Sequence, residues 1–292
     1  MGRLRLKDVT VCAADCVHPQ LAARALEICL DKVDFGDAVL FADVPISGRF
    51  RNETIAPLRS AGDYSRFCIQ DLPKRVTSKF ALVVQWDGYV VEPKMWTSEF
   101  LRYDYIGAPG FSPLQGGKEK RWVVGNGGFS LRSRRLLDAA ATLPPIDGMA
   151  EDHLICEVFR DVLERQHGVR FATEPLADRF CFFQRDPAGP TFGFHGFYNL
   201  HRVEDDDAVF AVLAGMTYQQ QIHSDIFTLI HLAMRDGRID LARRLYAHIR
   251  QQSTLKEVQA MLMWQSGRPH AVAAFVDRLQ SLEEGLAGAA AK

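Results

Sequence analysis

Apolar residues recur along this chain with two textures, and the change falls about two thirds of the way along. In the first part, short unbroken apolar runs alternate with segments spaced three and four residues apart, the pattern of an α/β domain. Val9 to Ala13 predicts a strand, Gln20 to Leu30 a helix, and Asp37 to Ala42 a second strand ending at Asp43. A polar connection follows. Tyr64 to Leu72, with Lys74 to Thr77 as its exit, predicts a helix, Phe80 to Trp86 a strand, and Tyr103 to Ile106 a short strand closed by Gly107-Ala108-Pro109. Ser133 is placed to cap a helix running to about Ala141 and ended by Pro144-Pro145. Leu154, Ile155, Val158, Phe159, Val162 and Leu163 make one helical stripe across Glu151 to Gln166. Phe180 to Phe183 predicts a short strand, and FGFHGFYN (Phe192 to Asn199) closes the α/β portion.

From about Asp205 the pattern turns to helices separated by Gly237 and by Gly267 to Pro269. The segment from Leu229 to Ile249 predicts an αα-hairpin with Asp236-Gly237 as its turn, similar to a single tetratricopeptide-like unit. The expected organisation is an α/β domain over 1–204, with a mostly parallel Rossmann-type sheet, and a helical region over 205–292 that offers a surface for homo-oligomers. FSPLQGGKEK, from Phe111, reads as a surface loop or a lid, and the GLAGAAAK tail as frayed.

Charge removes two classes of partner. With 35 basic against 36 acidic residues there is no field to hold a nucleic-acid backbone or an anionic membrane. No run is long enough for a transmembrane helix, and MGRLRLKDVTV lacks the apolar core of a signal peptide, so a cytoplasmic protein is expected. The six cysteines show no CxxC spacing and predict reduced, mostly buried thiols.

Candidate chemistry gathers where apolar runs stop. FALVVQWDG (Phe80 to Gly88) ends a strand-like run at Asp87, the way a buried parallel strand delivers an acid to the open end of a sheet. A carboxylate there is suited to a divalent metal that bridges two phosphates, with Gln85 adding a neutral oxygen. Asp-Gly is equally a turn dipeptide. WVVGNGGFSLRS (Trp122 to Ser133) breaks into Gly125-Asn126-Gly127-Gly128, where the backbone can approach a ligand closely, or form a bulge. Glu151 and Asp152 offer a carboxylate base for an attacking hydroxyl, or simply favour the positive end of a helix. His195, within GFHGF, is either a metal ligand or a packed imidazole.

QWDG, EFLRYDYIGAP (Glu99 to Pro109), VGNGGFSLRS, the Glu151-Asp152 pair and FGFHG (Phe192 to Gly196), in that order, resemble a bacterial family of uncharacterised glycosyltransferase-like domains, itself similar to glycosyltransferases of the GT-A fold. The resemblance spans Val9 to Leu200. It implies a cytoplasmic metal-dependent transferase that moves a sugar from a nucleotide-sugar donor, expected to be UDP-linked, to a glycan or other hydroxyl acceptor in bacterial surface-glycan synthesis. It further implies that Asp87 is the last acid of a DxD motif holding Mn2+ or Mg2+, that His195 completes the metal site, and that Glu151 or Asp152 faces the acceptor. Asn126, Gly127 and Gly128 would line the donor sugar, Gln85 and Trp86 would belong to the donor site, and Asp15 and Asp43 would hold the nucleoside. Two positions depart from the pattern: Gln85 stands where the first acid is expected, and Gly110 where a tryptophan is expected. A sugar nucleotidyltransferase would want a glycine-rich basic loop after the first strand, where this chain reads CAADCVHP. A non-catalytic glycan- or protein-binding module is the other alternative.

Overall fold

The computed structural model of the chain describes residues 2–111, 122–144, 146, 148–223, 225–266 and 275–279. The loop after Phe111, Pro145, the Gly267 to Pro269 break and the C-terminal tail, all named above, lie outside the described residues. The chain divides into two compact units, Met1–Gly196 and Phe197–Lys292.

The first unit is built on β1 (Leu4–Ala14), α1 (Pro19–Lys32), β2 (Val33–Ala42), β3 (Arg51–Thr54), α2 (Ala61–Arg66), α3 (Leu72–Arg75) and β4 (Phe80–Val84). It continues through β5 (Tyr105–Gly107), β6 (Pro109–Phe111), β7 (Trp122–Val124), β8 (Phe129–Ser133), α4 (Arg134–Ala140), α5 (Glu151–His153), α6 (Arg160–His167), α7 (Glu174–Phe180), β9 (Cys181–Phe182) and β10 (Gly193–Phe194). Six strands form one sheet in the order β3-β2-β1-β4-β8-β5. β1 to β4 run parallel, while β8 runs antiparallel to both β4 and β5, so the α/β class is as expected and the sheet is mixed at one side.

The unbroken apolar runs are the strands whose two faces are both covered. In β4 all of Ala81, Leu82, Val83 and Val84 are buried, and the central stretch of β1 likewise. Two strands differ from the sequence expectation. β3, Arg-Asn-Glu-Thr, lies at the sheet edge with its side chains half-buried or exposed, where a polar strand is tolerated because only one neighbour pairs with it. β8 has the alternation Phe-Ser-Leu-Arg-Ser yet every residue is buried, Arg132 included.

α2 begins at Ser60, whose side chain accepts from the Asp63 N–H, and runs through a wide i→i+5 turn at Phe67–Asp71 into α3. Its inner face packs Phe67, Cys68 and Leu72 against Cys12, Val39, Phe41 and Val83 of the sheet. α4 is capped as predicted: Ser133 Oγ accepts from Leu136 N at 3.1 Å. The expected long helix after Glu151 is divided by another wide turn, Leu154–Val158, and α6 then ends at Gly168 in a left-handed conformation. All six cysteines are free thiols, and burial pushes Cys12 and Cys29 up to about 12, which leaves them protonated at neutral pH.

The second unit comprises α8 (Leu200–Val203), α9 (Asp206–Ala214), α10 (Tyr218–His223), α11 (Ile226–Arg235), α12 (Ile239–Arg250) and α13 (Leu255–Ser266). α11 and α12 form the αα-hairpin, with Gly237 at φ 82° supplying the turn that an L side chain would strain. Among the described residues no helix is long and apolar enough to cross a membrane.

Candidate functional site

The order of the sheet creates the site. The chain moves outward from β1 to β2 and β3, then returns to the other side of β1 as β4. Loops leaving the carboxyl ends of β1 and β4 therefore diverge, and a crevice opens between them. A cleft of about 350 Å³ lies there, lined by Asp15 and His18 after β1, Gln85 and Trp86 after β4, and Ser60 and Tyr64 from the start of α2. Asp15 Oδ1 accepts the N–H groups of Val17 (2.8 Å) and His18 (2.6 Å), and burial raises its carboxyl above the ordinary range. The His18 and Trp86 rings meet edge to face at 5.5 Å. Asp43, at the end of β2, is not among the lining residues; it contacts Cys16, which is.

Both readings of Asp-Gly hold at once. Gln85 and Gly88 exchange backbone hydrogen bonds (3.3 and 3.0 Å), so Trp86 and Asp87 form the tip of a tight turn at the end of β4. That turn captures the FGFHG segment: Gly196 N donates to Asp87 O at 2.9 Å, and His195 N to Phe182 O at 3.0 Å. His195 Nε2 then lies 3.4 Å from Asp87 Oδ1 and 3.0 Å from Gln85 Oε1. The other end of the Gln85 amide donates to Tyr64 Oη at 3.0 Å, which turns the oxygen toward His195.

Glycine makes this corner possible. A Cβ on Gly128 would overlap the His195 ring, and one on Gly88 would come to 2.9 Å from it. Gly127 is packed in the same way against Glu151, Arg132 and Asp152. Both residues are buried, so the part of the glycine wall expected to meet a sugar is pressed against protein side chains.

A second cleft, of about 390 Å³, is lined by Asn126, Asp152, His153, Cys156, Glu157 and Phe183 among others. Asp152 with Cys156 and His153 with Glu157 are four residues apart, so one helical run presents them on a single face. His153 Nδ1 and Glu157 Oε1 are 3.2 Å apart. The His195 ring lines neither cleft but touches one lining residue of each: Phe183 at 5.0 Å between ring centres, and Gln85 Oε1 at 3.0 Å.

The two neighbouring acids have different environments. Glu151 is buried and its Oε1 accepts from Arg132 Nη2 at 2.7 Å, Arg132 being wholly enclosed. Asp152 reaches the second cleft, with Oδ2 accepting from Gly127 N and Oδ1 from His153 N, both at 2.8 Å. Burial, then the neighbouring Glu151 charge, push Asp152 up to about 6, against the pull of the Gly127 N–H and Arg132.

The donor atoms at the turn suit a divalent cation. Gln85 Oε1 and Asp87 Oδ1 lie 3.0 and 3.4 Å from His195 Nε2, and carboxylate, amide oxygen and imidazole are atoms of the kind that could hold such an ion. Among the described residues no group of three or more His, Cys, Asp or Glu side chains is placed to hold a metal ion.

The structure thus brings Asp15, Gln85 and Trp86 to one cleft, Asn126 and Asp152 to another, and Asp87 against His195. Glu151 faces inward and Asp43 stands aside. Sequence reasoning passed over Arg132, Tyr64, His18, His153 and Glu157. Of these only Arg132 carried a signal, a charge following the apolar Phe129 and Leu131 in one short strand.

A family model described as "Protein of unknown function (DUF5672)" matches residues 49–195, from before α2 to His195. No curated protein matches the chain. Among solved structures, a mannosyltransferase from Pyrobaculum calidifontis in complex with GDP-Man and Mn2+ aligns over 94% of this chain and 86% of its own, with a TM-score of 0.39 and 10% identity. A glycosyltransferase involved in glycosylation of the major capsid of PBCV-1 aligns over 64% of this chain and 91% of its own, at 0.37 and 12%. A197 from STIV aligns over 57% and 82%, at 0.32 and 10%. Likenesses this distant assign neither fold nor activity, and the chemistry below is drawn from the residues of this chain.

Proposed function

The chain belongs to the DUF5672 family, whose function is unassigned, and we propose from the geometry of its site that it is a glycosyltransferase of the GT-A type, moving a sugar from a nucleotide-sugar donor to a hydroxyl acceptor. One observation carries the reading: the cleft at the switch point of the sheet is lined by Gln85, whose Oε1 lies 3.0 Å from His195 Nε2, itself 3.4 Å from Asp87 Oδ1. Switch-point crevices are where open α/β sheets take nucleotides.

The nucleoside, UDP-linked as the first donor to test, occupies the first cleft, with Asp15 as a polar anchor and Trp86 and His18 as ring surfaces. Asp87 and His195, with Gln85 as a neutral partner, hold Mn2+ or Mg2+. That cation, when bound, supplies positive charge to the leaving diphosphate. The acceptor enters the second cleft, where Asp152 takes the proton of its hydroxyl while that oxygen attacks the anomeric carbon. The bond from that carbon to the diphosphate breaks, and the electron pair leaves with the diphosphate. A base placed this way inverts the anomeric centre. Glu151 is not available for this role, because its charge neutralises Arg132 in the interior. An Asp152 carboxyl held near 6 is mostly ionised at neutral pH, yet basic enough to accept a proton as the bond forms.

The test is release of nucleotide from a panel of UDP- and GDP-sugars with Mn2+, followed by NMR, which also reports anomeric configuration. Release from at least one donor that is lost in Asp87→Ala is expected. Neither release nor binding with any donor overturns the reading.

A further inference from the structure

Among the described residues Arg132 is the largest wholly buried side chain, and it sits in β8, paired across the sheet with Ala81 of β4 and Tyr105 of β5. We infer that Arg132 is a positioning residue: through Gly127 and Glu151 it fixes where the Asp152 carboxylate stands in the second cleft. This rests on the reading of Asp152 as the acceptor-facing base.

Two routes lead from the guanidinium to Asp152. The first is the Gly127 peptide. Arg132 Nη2 donates to Gly127 O at 3.3 Å, and Arg132 Nε donates to Ser130 Oγ at 3.0 Å. The Ser130 hydroxyl in turn donates to the same Gly127 oxygen at 2.9 Å. Two donors thus hold the carbonyl of the peptide after Gly127, the N–H of the peptide before it is given to Asp152 Oδ2 at 2.8 Å, and tight packing on all sides of Gly127 ties the two together. The second route is Glu151. Its ion pair with Arg132 at 2.7 Å pins the first residue of α5, immediately before Asp152. The contact at Gly127 is close on all sides: a Cβ there would stand 2.5 Å from Glu151 Oε1 and 3.0 Å from both Arg132 Nη2 and Asp152 Cβ.

A buried ion pair gives little net stability, since desolvation of both charges offsets their attraction, and apolar side chains of like volume often serve as well. What apolar side chains would not reproduce is the hold on the Gly127 carbonyl. The charges also act on Asp152 directly. Glu151 pushes its carboxyl up and Arg132 pulls it down, while His153, Cys156 and Glu157 from its own helical run and Tyr105 of β5 are the other titratable groups around it.

The experiment uses the full chain labelled at the aspartate carboxyl carbons, with the Asp152 signal assigned by its loss in Asp152→Asn. Its titration midpoint and the exchange protection of the Gly127 amide are measured without donor or acceptor, so an absence of transferase activity leaves the outcome readable. Glu151→Gln is expected to lower the Asp152 midpoint by about one pH unit, the size of a single nearby charge. The Arg132→Met/Glu151→Leu double variant, which keeps an apolar pair in place of the ionic one, is expected to retain the melting temperature but to lose at least about tenfold in Gly127 protection, one hydrogen bond's worth. A double variant with native Gly127 protection, or Glu151→Gln with an unmoved midpoint, overturns the inference.

Discussion

Each unit of this protein holds a histidine against an aspartate, and the two pairs do different things. In the helical unit His201 is 2% exposed, with Nδ1 2.9 Å from Tyr198 O and Nε2 2.8 Å from Asp236 Oδ2. Asp236 also accepts from Arg202 and Arg235, at 3.0 and 2.8 Å, and the set closes the turn between α11 and α12. In the sheet unit the His195–Asp87 separation is longer, 3.4 Å, the ring is admitted by glycines at 88 and 128, and it touches Gln85 of one cleft and Phe183 of another. The same residue types are a fastener where every ring nitrogen faces a protein acceptor at close range, and a proposed cation site where the pair is looser and glycine admits the ring.

The largest expected effect breaks the sheet-unit pair. Asp87→Ala removes the charged ligand and is expected to abolish Mn2+-dependent nucleotide release, while the melting temperature without metal stays near that of the native protein; activity surviving in EDTA would contradict the metal role. Next, Asp152→Asn is expected to slow transfer by about 10² to 10⁴-fold. The same change should raise stability. A carboxyl raised from 3.8 to about 6 by burial stabilises the fold below its unfolded value and loses that contribution as pH rises through 6. At pH 7 the ionised group therefore costs up to about 3 kcal/mol, which asparagine relieves. Unfolding curves of the two proteins at pH 4 and pH 7 check this: the gap should be present at pH 7 and small at pH 4.

Gly128→Ala tests whether glycine clears space for His195 or for a ligand. The added methyl would displace the ring, and Mn2+ affinity measured without any nucleotide should fall by about tenfold or more, as when a metal ligand is misplaced. Native affinity for Mn2+ with weakened nucleotide-sugar binding would instead assign the wall to the donor.

The smallest effect breaks the helical-unit pair. Burial lowers His201, and Asp236, despite burial that pushes it up, is held low by hydrogen bonds from Arg235, His201 and Arg202. Both shifts have one sign. The stability they add is present above the unfolded values of about 6.5 and 4, and is lost as pH falls through the lower folded values. Asp236→Asn is expected to cost about 1 to 3 kcal/mol near neutral pH and to flatten the acid loss of stability, with nucleotide release unchanged. Chemical denaturation across pH 4 to 7 measures it.

Much of the fold was legible because β1, β2 and β4 are covered on both faces and so read as unbroken apolar runs. β3 was not, since a polar edge strand has no such period, and β8 was not, because antiparallel insertion between two parallel strands leaves no trace in spacing. Asp87 was legible from the abrupt end of its strand, and His195 from its glycine and aromatic setting. That the two meet was carried only by motif order, because their chain separation says nothing of distance. Glu151 and Asp152 were indistinguishable in sequence: both occupy a helix's first turn, and only the buried Arg132 and the wide turn after them decide which faces inward. The glycines of GNGG were read by their openness to ligand, whereas their neighbours are His195, Arg132 and Glu151.

On the proposed function, the switch-point cleft and the Asp87–His195 pair together bind a nucleotide diphosphate with its cation. Calorimetric titration of UDP and UDP-sugars, then of GDP-sugars, into the native protein and Asp87→Ala, each with and without Mn2+, tests it most directly. Binding that requires Mn2+ in the native protein and vanishes in the variant is the predicted result; nucleotide affinity indifferent to both the metal and Asp87 would contradict it.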